Sequence, residues 1–162
     1  MAVLLTDTEI QELLLERKLL SGDFRQRLQT RPKRGHSERE LDIAGDDGSV
    51  FRLIVRQSTL NVLDFSVILG FQLPGTNQLF RLRRCNGKSH QHTNVLEGDA
   101  FYDFHIHHAT ERYQVSGLRE DSFAEPTDRY VDLGSAVECL ITDCGFDRSD
   151  LQTSFFDEGA TT

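Results

Sequence analysis

Apolar and polar positions change period twice along the chain. Thr6-Asp7-Thr8-Glu9 has the form of a capping box, and Ile10, Leu13, Leu14, Leu20, Phe24 and Leu28 recur at spacings of three, four or seven, the period of one helix face. That pattern predicts an N-terminal helical segment over 1–31, kinked or restarted near Ser21-Gly22-Asp23 and ended by Pro32. From residue 38 the period drops to two. Leu41 and Ile43 lead into Asp46-Asp47-Gly48, and Phe51, Leu53 and Val55 alternate with Arg52, Ile54 and Arg56. Phe65, Val67, Leu69 and Phe71 follow, then Phe80 and Leu82 between Arg81 and Arg83, then Phe104 and Ile106 between His105 and His107. These are strand patterns. Gly70 inside one of them marks a bulge or a close backbone approach. Ala136, Val137, Leu140 and Ile141 predict a short helix over 133–145, with Gly145 as its stop.

The sum is an α+β fold: a mostly antiparallel sheet of five to six strands over 38–108, with the N-terminal helix and a short C-terminal helix packed on one face. A chain of 162 residues suits one buried core, so residues 1–147 are expected to form a single domain and 148–162 a loose tail. No apolar run is long enough to span a bilayer, and the first residues lack a basic flank with a long apolar region. Cys85, Cys139 and Cys144 are odd in number and without CxxC spacing, which argues against a disulfide framework or a cysteine zinc knuckle. A cytoplasmic protein without membrane contact is the expectation.

The net charge of −8 by itself argues against nucleic acid. Its distribution does not. Residues 110–162 hold twelve acids and four bases, whereas 52–94 hold one acid, Asp64, against Arg52, Arg56, Arg81, Arg83, Arg84 and Lys88. A basic middle can meet an anion while an acidic end keeps the protein soluble.

Five of the six histidines fall within nineteen residues: His90, His92, His105, His107 and His108. Imidazole exchanges a proton near neutral pH and, when neutral, ligates metals. His90/His92 and His105/His107 are spaced by two, which puts each pair on one face of a strand. If Asn86-Gly87 is a two-residue type I′ turn and Gly98-Asp99 a second, Arg83 faces His90, Arg81 faces His92, His92 faces His105 and His90 faces His107. Arg81, Arg83 and four histidines then share one face, with Arg52 and Arg56 on the same side. The alternative left open is that 88–97, whose Ser89, Gln91 and Thr93 suit a core poorly, form a loop crossing the sheet edge. On either path His108 points to the core side, and His36 stands isolated in a basic loop.

Two chemistries suit such a patch. In one, His90, His92, His105 and His107 act as general acids and bases, Tyr113 adds a proton donor, and Arg81, Arg83 and Arg112 bind phosphate. That describes metal-independent RNA cleavage, with no cofactor. In the other, His90, His92, His105 and His107 bind zinc or another divalent metal. A third reading is a non-enzymatic regulatory module that binds nucleic acid or protein, working as a homodimer.

Phe80-Arg81-Leu82-Arg83-Arg84-Cys85-Asn86-Gly87-Lys88-Ser89-His90-Gln91-His92, with Phe104-His105-Ile106-His107-His108-Ala109-Thr110-Glu111-Arg112-Tyr113, resembles an uncharacterised prokaryotic domain family. More loosely, it is similar to the TumE-type toxins of toxin–antitoxin systems. The resemblance implies a small ribonuclease-like toxin with RNA as substrate and a cognate antitoxin as partner. It places Arg83, His90, His92, His105 and His107 at the basic and histidine-bearing positions.

Overall fold

The alternating middle of the chain becomes one seven-stranded antiparallel sheet in the computed structural model, which describes residues 4–148. The chain opens with helix α1 (Asp7–Leu15), strand β1 (Lys18–Leu19) and one helical turn, α2 (Phe24–Arg27). Strands β2 (Gln29–Lys33), β3 (His36–Ala44), β4 (Val50–Ser58), β5 (Phe65–Gln72) and β6 (Leu79–Asn86) follow. A small ribbon of β7 (His92–Thr93) and β8 (Ala100–Phe101) precedes β9 (His105–His108), helix α3 (Glu111–Val115), β10 (Phe123–Pro126), helix α4 (Leu133–Asp143) and β11 (Phe146–Asp147). The main sheet runs in the spatial order β2-β3-β4-β5-β6-β9-β10.

The inward positions of the alternation make the core. Phe51, Leu53, Val55, Val67, Leu69, Phe80, Leu82, Cys85 and Ile106 are buried with Ile10, Leu14, Phe24, Ala136, Val137 and Leu140 from the helices. Each such side chain removed from water contributes roughly 1.5–3 kcal/mol before chain entropy is charged against it. The helices therefore lie on one face, and the other face is left for chemistry. No helix among the described residues is long and apolar enough to cross a membrane.

The capping box forms as written, with Thr6 Oγ accepting from Glu9 N–H at 3.1 Å and Glu9 Oε1 accepting from Thr6 N–H at 3.1 Å. The expected helix over 1–31 does not run on. It stops at Leu15, and Gln29–Lys33, including Pro32, pair with β3 as the outer strand of the sheet. Tertiary contacts override the period here. Lys18 is fully buried, and its ammonium donates to the carbonyls of Leu13 (2.9 Å), Leu14 (3.2 Å), Glu16 (2.9 Å) and Cys144 (2.8 Å), closing the end of α1 against the end of α4. Leu20, Phe24 and Leu28 remain buried, so the helical spacing recorded which residues face the core but not their conformation. The sheet also exceeds the expected count, because β2 and β10 add strands at its two edges. α4 falls where expected, with Gly145 at φ +76° after it. Of the tail expected over 148–162, Arg148 pairs with Glu138 on α4, and 149–162 lie outside the described residues.

Candidate metal centre

The site is built where β6 meets β9 on the face away from the helices. Arg84 lies opposite His107 and Asn86 opposite His105. Asn86-Gly87 is not a two-residue turn. Asn86 ends β6 and Gly87 is not in the left-handed region. Residues 87–104 leave the sheet before returning as β9, and His92 pairs with Phe101 in the separate ribbon instead of facing Arg81. The loop alternative is the one the fold adopts.

Asn94 seats that ribbon on the sheet. β10 is an edge strand, and the buried Asn94 side chain occupies the place of a neighbouring strand. Its Nδ2 donates to the Ala124 carbonyl at 2.8 Å, and its Oδ1 accepts from the Ala124 N–H at 2.9 Å. His92 Nε2 lies 2.9 Å from the same Oδ1. His92 is thereby brought over β9, its ring 5.2 Å from that of His105 and 4.9 Å from that of His107. One ring nitrogen from each of His92, His105 and His107 falls within 4.8 Å of the others. His90 is exposed, with its ring 6.1 Å from His105. Four of the five clustered histidines thus converge, three closely.

The hydrogen bonds assign the tautomers, because a carbonyl can only accept. His105 Nδ1 lies 2.8 Å from the Asp103 carbonyl and His107 Nδ1 lies 2.7 Å from the Asp121 carbonyl, so each Nδ1 carries the proton and each Nε2 a lone pair. Asn86 agrees. Its Oδ1 accepts from Ser66 Oγ at 2.8 Å, which turns its Nδ2 donor towards His105 Nε2 (3.5 Å) and His107 Nε2 (3.4 Å). On His92 the Nε2–H donates to Asn94, leaving the lone pair on Nδ1. Burial holds His105 down to about 4, with His92 and His90 adding repulsion. Burial, helped by the Arg84 guanidinium, holds His107 down to about 2. Both rings are neutral at pH 7. Two neutral imidazoles anchored on backbone carbonyls, and a third imidazole anchored on the Asn94 side chain, are donor types and outer-shell contacts of the kind divalent-metal sites use.

The arginines fall differently from the expectation. Leu69 pairs with Arg83 and Gly70 with Arg81, so Leu82 is an extra residue in β6. This bulge carries Arg83 to the helix-bearing face, where it lies 3.8 Å from Asp143, away from the histidines. His108 lies on that same face, the core side expected of it, next to Phe123 and 3.4 Å from Glu125. Arg84 takes the place expected of Arg83, its Nε 3.0 Å from the fully buried Asp121 carboxylate. The uneven spacing Phe80, Leu82, Cys85 was the sequence signal for this switch. Arg81 stays on the open face, opposite Gly70. Tyr113 and Arg112 turn to a different partner: the buried Tyr113 hydroxyl donates to Glu97 Oε2 at 2.5 Å, and Arg112 pairs with Glu97 Oε1. They hold the 94–99 loop rather than serving as proton donor and phosphate clamp. Asn86, Asn94 and Asp121 had no signal in the sequence.

No family model, curated protein or solved structure matches this chain. The resemblance to TumE-type toxins accordingly rests on the β6 and β9 motifs alone, and function is argued from the site's own chemistry.

Proposed function

We propose that the protein binds one divalent transition metal, zinc being the best fit, through His92, His105 and His107. The observation that carries this is the convergence of one ring nitrogen from each of the three histidines, with the Nδ1–H of His105 and of His107 held by carbonyls and His92 Nε2 held by Asn94. Two nitrogens on a tetrahedral zinc stand about 3.3 Å apart, given bonds of about 2.0–2.1 Å. The present limit of 4.8 Å therefore asks for closure by at most about 1.5 Å (4.8 − 3.3). His92, on a two-residue strand, supplies that movement, while His105 and His107 are held by the main sheet. Three protein ligands leave a fourth position for water or an anion, the composition of catalytic rather than structural zinc sites.

The same hydrogen bonds weigh against metal-independent RNA cleavage. That chemistry needs imidazoles that gain and lose a proton near neutrality, whereas His105 and His107 hold their protons on carbonyls and are kept neutral by burial. The test is elemental analysis and zinc titration of the metal-free full chain. One equivalent is expected, with a loss of at least about tenfold in affinity for His92→Ala and for His107→Ala. RNA cleavage that persists in EDTA and disappears in His105→Ala would replace this reading with the acid–base one.

A further inference from the structure

Beside the histidines, a groove of about 260 Å³ crosses the open face from the β2–β3 turn to Asn86 and His90. Its charged and titratable lining is Arg34, His36, Arg56, Arg84 and His90 against one carboxylate, Asp64. We infer that this groove holds a phosphate group. His36, isolated in the sequence, is joined to it by the fold: His36 Nε2 lies 3.3 Å from Arg56 Nη2, and a guanidinium only donates, so the remaining N–H of His36 is on Nδ1. Carboxylates lie behind the guanidinium groups and orient them. Glu38 is 3.3 Å from Arg56 Nε and Asp121 is 3.0 Å from Arg84 Nε. Arg56 Nε is nevertheless buried without a hydrogen bond. Ser58 Oγ accepts from the N–H groups of Leu60 and Asn61, which directs its own proton elsewhere as a donor.

The lining is thus rich in donors and poor in acceptors, as an anion requires and a cation does not tolerate. Planar guanidinium forks match the paired oxygens of a phosphate, and charge-assisted bonds of this kind are about twice as strong as neutral ones. The volume is below the roughly 300–1,000 Å³ of pockets that enclose drug-sized ligands. It suits a phosphate group with little attached, presented by a small phosphorylated molecule or by a nucleic-acid backbone. Asn86 is the wall shared with the histidine cluster, since it lines the groove and its amide stands 3.4–3.5 Å from His105 and His107. The inference stands on the groove alone and does not require the metal.

The experiment is titration of the full chain with inorganic phosphate in EDTA at constant ionic strength, followed by calorimetry and amide NMR shifts. Saturable binding with a Kd of about 1 mM or tighter is expected. Arg34→Gln with Arg56→Gln weakens it at least about tenfold, while Arg31→Gln, on β2 outside the groove, leaves it unchanged. Competition by a short single-stranded RNA identifies a nucleic-acid backbone as the source, and competition by a nucleoside monophosphate alone identifies a small phosphorylated molecule. No saturation by about 20 mM phosphate overturns the inference, as does an equal effect of Arg31→Gln. Binding that appears only with zinc also overturns it, by assigning the phosphate to the metal. Failure to bind zinc leaves it standing.

Discussion

Replacing Asn94 with alanine removes the amide that ties the histidine-bearing ribbon to the sheet. Four hydrogen bonds go at once: Nδ2 to the Ala124 carbonyl and to Asp99 Oδ2, Ala124 N–H to Oδ1, and His92 Nε2 to Oδ1. Ala124 is 1% exposed, so its N–H and carbonyl on the outer side of β10 lose their partners with no water at hand. An unsatisfied buried backbone group costs about 1–3 kcal/mol, which sets an outer range of about 2–6 kcal/mol for the pair. Lifting of the ribbon admits water and limits the loss, so about 2–4 kcal/mol is expected. At about 2–4 °C per kcal/mol for a chain of this size, the melting temperature falls by about 4–16 °C.

The same substitution releases His92, and loss of a residue that orients a ligand typically weakens metal affinity 10–100-fold. Zinc at one hundred times the wild-type Kd stabilises the fold by about 2.7 kcal/mol, and a hundredfold weaker site leaves about 0.4 kcal/mol. Thermal denaturation followed by circular dichroism, with and without zinc, reads both effects. A variant that melts within a degree of wild type and keeps the full zinc shift would refute the assignment of Asn94 as the anchor of the site.

Three other outcomes are expected. Tyr113→Phe removes the hydrogen bond to Glu97 and the one accepted from the Leu96 N–H, and should cost about 1–2 kcal/mol by urea denaturation with zinc affinity unchanged; loss of metal or of any measured turnover would place Tyr113 back in the site. Gly87→Ala puts a Cβ 1.9 Å from the Leu63 carbonyl oxygen, a backbone atom, so a loss of about 2–4 kcal/mol is expected, and a neutral result would show that the 58–65 loop gives way freely. Burial pushes the Lys18 ammonium from its usual 10.5 down to about 8. Between those values the unfolded chain holds the proton more tightly, so this group makes the fold more stable as pH rises through the window, by about 3 kcal/mol in all. Lys18→Met should be less stable at pH 7 and lack that rise. Tyr130, pushed upward by burial, opposes the rise in both proteins and cancels in the difference.

The charge pattern shows how sequence and fold divide the work. The basic middle and acidic end were plain in the chain, but the fold brings them together as Arg84 with Asp121 and Arg83 with Asp143. The alternation that placed Phe51, Leu53, Val67 and Ile106 inward held, because a period of two survives wherever both neighbours in the sheet are regular. It failed at Leu82, where one extra residue moved Arg83 to the opposite face.

By itself, then, the chain settled the class of fold, the inward face of the central strands, the cap of α1, the position of α4, and the pairing of His105 with His107 on one side of a strand. Each follows from interactions within a few residues or from a strict period. Only the tertiary structure decided that His92 returns over β9, that Asn94 replaces a missing strand, that Arg84 and not Arg83 stands beside the rings, and that His36 joins the groove. These depend on contacts between residues far apart in sequence, which a local pattern does not encode. The lone pairs of His105 and His107 face the cluster because the Asp103 and Asp121 carbonyls hold the opposite nitrogens, and backbone carbonyls leave no mark on the residue types.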